Sequence, residues 1–124
     1  MILLDTNYLV RFFTNDIKSQ AQVAKKLIEK SKEIYLSTIV VAETVFILRN
    51  HYQIGKNSVC QKLVSLITQP NIKTQGFILF ALQIYEDENI SFYDSLLVAE
   101  ATEKNASLKT FDQKLSKVYS KCLD

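Results

Sequence analysis

The spacing of apolar residues changes repeatedly along this chain. Ile2-Leu3-Leu4 is a short apolar run cut off by Asp5, the pattern of a buried parallel strand. From Tyr8 to Thr14, Leu9, Phe12 and Phe13 recur at helical spacing. Ser19 to Ser31 reads as a second helix, with Ser19 as N-cap and Ala21, Ala24, Leu27 and Ile28 on one face. Ile34-Tyr35-Leu36 gives a second strand, after which Ser37 caps a helix from about Thr38 to about His51. Gly55 marks a turn. Asn57 or Ser58 then opens a helix through Val59, Leu63, Leu66 and Ile67, which Pro70-Asn71 ends. Ile72-Lys73-Thr74 is a third short strand, followed by a helix from about Gln75 to Glu86. Ser91 to Asn105 forms another helix, Leu108-Lys109-Thr110-Phe111 a strand, and Gln113 to Lys121 a last helix. Strands separated by helices predict an α/β fold with a parallel sheet.

Composition narrows this only a little. A chain of 124 residues, 48% hydrophobic and 23% charged, with 2 Gly and 1 Pro, is expected to be a single compact domain over 1–124. A net charge of +2 neither requires nor excludes a nucleic-acid partner. Cys60 and Cys122 make no metal-ligand spacing with each other or with His51, which excludes the usual zinc motifs. Asp5 interrupts the apolar start, so no signal peptide is expected. The apolar stretch Ile39 to Leu48 is broken by Glu43 and Thr44 and is too short to span a bilayer. A soluble, cytoplasmic protein in a reducing compartment is the expectation.

Four acids stand out against this background. Asp5 and Asp112 each follow a predicted strand and precede a helix, so a parallel sheet would bring them to the same edge, beyond the carboxyl ends of the strands. Each has an ordinary explanation as a helix N-cap. Glu43 sits among Ile39, Val40, Val41, Ala42, Val45, Phe46, Ile47 and Leu48, a helix that reads as buried. An ionised carboxylate there is costly unless paired or metal-bound, and no Lys or Arg lies three or four residues away. The ordinary alternative is that Glu43 faces the one solvated stripe. Asp94 closes Ser91-Phe92-Tyr93-Asp94, which fits a capping box. Carboxylates gathered at one edge repel one another, and holding a hard divalent cation is a role that tolerates them. All-oxygen ligands select Mg²⁺ or Mn²⁺, which would activate a water and neutralise a phosphoryl group during in-line attack.

Other motifs carry less. Gly55-Lys56-Asn57-Ser58 matches part of a phosphate-binding loop, but Asn50 stands where its first Gly belongs and Asn57 where Ser or Thr should follow Lys. Lys25, Lys26, Lys30 and Lys32 read as a solvated helix face. They could steer a polyanion, as could Arg11, Arg49, Lys109, Lys114 and Lys117.

In order and spacing, Asp5-Thr6-Asn7, Glu43, Phe92-Tyr93-Asp94-Ser95 and Thr110-Phe111-Asp112 resemble PIN domains, and the chain is similar to VapC-type toxins of toxin–antitoxin pairs over nearly its whole length. The resemblance implies a three-layer α/β/α sandwich around a mostly parallel sheet of four or five strands. It implies an endoribonuclease dependent on Mg²⁺ or Mn²⁺, usually a homodimer, inhibited by a cognate antitoxin. Asp5, Glu43, Asp94 and Asp112 would then be the metal-binding acids. Asn7 would orient the first of them, Thr110 would hydrogen-bond at the site, and Arg11 matches a basic position following the first motif. Fewer Gly than usual and a short tail after Asp112 depart from the pattern, and they touch the sheet edge but not the acids. A competing reading is a PIN-like module that binds RNA or protein without cutting. A phosphatase of the haloacid dehalogenase type would need an acid at position 7, where Asn stands.

Overall fold

The computed structural model describes residues 1–123. Two compact units divide the chain, Met1–Gln75 and Gly76–Asp124.

The first unit is built on a parallel sheet. β1 (Ile2–Leu3), β2 (Ile34–Tyr35) and β3 (Ile72–Lys73) lie side by side in that order, with Ile2 opposite Ile34 and Ile34 opposite Ile72. Each crossover carries two helices: α1 (Thr6–Thr14) and α2 (Lys18–Lys30) between β1 and β2, then α3 (Thr38–Asn50) and α4 (Lys56–Ile67) between β2 and β3. This is the parallel strand–helix–strand arrangement that the alternating periodicity predicts. Leu9, Val10, Ile34, Leu36, Val41, Leu48, Val59 and Leu63 are all buried core. α1 packs on α2 and on α3.

Local chemistry accounts for several of the helix ends. Ser37 accepts a hydrogen bond from Val40 N–H and starts α3 where the sequence places it. Thr44, buried within α3, is satisfied by donating to Val40 O at 2.7 Å. Asn15 ends α1 in the left-handed region, at φ 55, a conformation Asn tolerates better than most residues. α2 departs from expectation. It begins at Lys18, with Ile17 as a cap that offers no side-chain bond, so Ser19 lies inside the helix.

The second unit is helical: α5 (Ile78–Asp87), α6 (Phe92–Glu103) and α7 (Gln113–Leu123). α6 packs on both of the others, and Ile78, Leu82, Val98, Ala99, Leu115 and Val118 are buried. Leu108–Phe111, expected as a strand, is irregular. Phe111, the last apolar residue of that run, is fully exposed at 107%, so the run has no buried face to commit it to a sheet. Among the described residues the sheet therefore has three strands, where the resemblance implied four or five, and the tail after Asp112 is helix α7. No helix among the described residues is long and apolar enough to cross a membrane.

Candidate active site

Asp5 stands immediately beyond the carboxyl end of β1. Buried Leu4 fixes the chain just before it, and the extended backbone at Asp5 turns the chain into α1. Its Oδ1 accepts Tyr8 N–H at 3.2 Å, so Asp5 is the N-cap of α1. Its Oδ2 takes no hydrogen bond among the described residues.

Glu43 reaches the same edge from α3. Thr6, the first residue of α1, donates from Oγ1 to Glu43 Oε1 at 3.4 Å. That bond ties the neighbour of Asp5 to the carboxylate on α3. The sequence reading of Glu43 as a buried charge needs correction. Ile39, Glu43, Phe46 and Asn50 recur every three to four residues and form an exposed stripe, with Ile39 at 68% and Phe46 at 54%. Glu43 therefore bears no burial cost. The run of apolar letters concealed a helix with one open side.

Asn7 is exposed and lines a cavity of about 430 Å³ together with Asp5, Tyr8, Arg11 and Gln20. Arg11 is half-buried and held in place. Its Nε donates to Gln20 Oε1 at 2.9 Å, and its Nη1 to the Tyr52 hydroxyl at 3.3 Å and to Asp16 Oδ1 at 3.5 Å. The Tyr52 hydroxyl donates to Asp16 Oδ2, and Thr14 Oγ1 donates to Asp16 Oδ1. These bonds, that of Tyr52 foremost and that of Thr14 next, hold the Asp16 carboxyl below its ordinary range. Asp16, Gln20 and Tyr52 had no sequence signature, since Tyr52 lies 36 positions from Asp16.

In the second unit Asp94 occupies the first turn of α6, and its backbone N–H donates to Ser91 Oγ at 3.0 Å. This is the backbone half of the expected capping box. Asp112 caps α7: its Oδ1 accepts Lys114 N–H at 2.9 Å and Leu115 N–H at 3.1 Å. Thr110 Oγ1 accepts Asp112 N–H at 3.0 Å and so steadies this cap. As with Asp5, Oδ2 of Asp112 takes no hydrogen bond among the described residues.

The structure thus joins Asp5 to Glu43 through Thr6 in one unit, and Thr110 to Asp112 in the other. Among the described residues no group of three or more His, Cys, Asp or Glu side chains is close enough to form a ready metal site. The donor chemistry nevertheless fits a hard cation. All candidate ligands are carboxylates, and Asp5 and Asp112 each keep an oxygen outside the cap.

A family model described as PIN domain matches residues 2–121. PIN domains are generally nucleases and generally use divalent metals. No curated relative matches the chain.

Proposed function

We propose, for a chain that belongs to the PIN domain family, that it is an endoribonuclease dependent on Mg²⁺ or Mn²⁺. On this reading residues 1–124 act as one PIN-like domain. The protein is the cytoplasmic toxin of a type II toxin–antitoxin pair, works as a homodimer on RNA, and is restrained by a cognate antitoxin protein. The observation that carries the proposal is the placement of Asp5 and Glu43 at one strand-end edge, in a chain matched by the family model over residues 2–121.

Asp5, Glu43, Asp94 and Asp112 would hold the metal. When bound, the metal supplies a water activated at neutral pH and positive charge against the phosphoryl oxygens. The chain's own groups set up that chemistry. Asp5 and Asp112 are fixed by their cap bonds, so each presents a carboxylate at little conformational cost. Thr6 positions Glu43, Asn7 flanks Asp5, and Thr110 steadies the backbone at Asp112. Arg11 adds a positioned guanidinium beside Asp5. No side-chain nucleophile is required.

The test is incubation of the purified protein with total RNA, with and without Mn²⁺, beside Asp5→Asn. Cleavage only by wild type and only with metal is the expected result. RNA retained uncut with metal present would instead favour a binding module.

A further inference from the structure

The chemistry proposed for Asp5 leaves the cavity beside it unexplained. Tyr8 and Val23 offer exposed apolar surface at its lining, at 37% and 55%, and an accessible aromatic ring is a platform on which a base can stack. Arg11, Gln20, Asn7, Ser19 and Asp5 supply the polar part, and of these Arg11 and Gln20 are tied to each other by a hydrogen bond.

A guanidinium has five N–H donors in one plane. The bonds to Gln20, Tyr52 and Asp16 engage Nε and Nη1 and lock the plane. The two Nη2 hydrogens have no protein partner among the described residues. Because Gln20 must turn its oxygen to Arg11 Nε, its amide hydrogens are also left as donors. The cavity therefore presents fixed donors beside a stacking face.

Its charge balance argues against a bare anion. Asp16 offsets Arg11, and Asp5 adds a carboxylate to the lining. A phosphate placed here would face Asp5 with no unmatched cation in compensation. A neutral base whose edge carries adjacent acceptors would not. A volume of about 430 Å³ lies within the range that small ligands occupy.

We propose that this cavity reads one unpaired nucleobase next to the bond to be cut, with guanine preferred. Guanine O6 and N7 are adjacent acceptors suited to Arg11 and Gln20, and Tyr8 stacks on the ring. Tyr52 and Asp16 are positioning residues that act through Arg11. The proposal rests on the ribonuclease reading of Asp5.

Two measurements test it separately from that reading. In the first, random-sequence RNA is cut with Mn²⁺ by wild type, Gln20→Ala, Arg11→Lys and Tyr52→Phe, and the new ends are sequenced. Wild type is expected to enrich guanine beside the cut. Gln20→Ala and Arg11→Lys should lose that enrichment by roughly tenfold, and Tyr52→Phe should lose part of it. An equal fall at every site would mark a backbone contact and overturn the proposal. The second measurement needs neither metal nor cleavage. Guanosine, cytidine and inorganic phosphate are titrated into ¹⁵N-labelled protein, and the Arg11 Nε–H and Gln20 amide signals are followed. Guanosine moving both in wild type, with the Arg11 signal unmoved in Gln20→Ala, supports the pocket even if no RNA is cut; only the ribonuclease reading would then fall. No response to guanosine, or an equal one to phosphate, would overturn the pocket whether or not RNA is cut.

Discussion

Asp5 has two duties, and substitution can separate them. Its Oδ1 caps α1 by accepting Tyr8 N–H, while in the proposed function its charge would serve the metal. Asn keeps an acceptor at the same atom and ranks with Asp as an N-cap. Without metal, Asp5→Asn loses an anion at the helix N-terminus, about 0.5 kcal/mol at an exposed site. The net change should lie within about 0.5 kcal/mol of wild type. Asp5→Ala loses the cap itself, about 1 kcal/mol, which on a chain of this size lowers Tm by about 3–6 °C. Mn²⁺ at a hundred times its Kd would stabilise wild type by about 2.7 kcal/mol. Calorimetry in chelator and then in Mn²⁺ reads both duties. In chelator, wild type and Asp5→Asn should melt together and Asp5→Ala below them. In Mn²⁺ only wild type should rise substantially. If Asp5→Asn melts as low as Asp5→Ala in chelator, the cap assignment fails. Equal gains from Mn²⁺ in wild type and Asp5→Asn would remove Asp5 from the metal-binding set.

Asp112→Ala should cost about 1 kcal/mol through the two cap bonds to Lys114 and Leu115 and also abolish cleavage, whereas Asp112→Asn should keep the stability and lose the activity; denaturant melts beside RNA cleavage separate the two. Tyr52→Phe bears on the low carboxyl pKa of Asp16. A group whose folded pKa is depressed contributes stability above its unfolded value, 3.8 for Asp16, and that contribution disappears as pH falls through the folded value. Wild type should therefore be more stable than Tyr52→Phe at neutral pH, with the gap narrowing as pH drops below about 4. A gap independent of pH would show that Tyr52 does not set the Asp16 carboxyl.

Much of the fold follows from local pattern. Ser37 and Ser91 open their helices where their spacing predicts, because one hydroxyl accepting one backbone N–H is a short-range event. Ile34, Leu36 and Ile72 are buried as their apolar runs imply. Three features depended on packing that the sequence does not display. α2 starts at Lys18 without a side-chain cap, so the polar letter Ser19 misled. Leu108–Phe111 looks like a strand but leaves Phe111 in solvent, since strand propensity acts only where a face is buried. Glu43 lies on an exposed stripe, and only the spacing of Ile39, Phe46 and Asn50 around it hinted at this. The PIN family of the chain was legible in the order of Asp5, Glu43, Asp94 and Asp112. The network around Arg11 was not, because its partners come from residues up to 41 positions apart.

Paramagnetic broadening tests the proposal of a common acidic site most directly. Trace Mn²⁺ added to ¹⁵N-labelled protein should erase the amide signals around Asp5, Glu43, Asp94 and Asp112 together, and Mg²⁺ should restore them all. Loss around Asp5 and Glu43 while the signals of Asp94 and Asp112 stay sharp would contradict a common metal site.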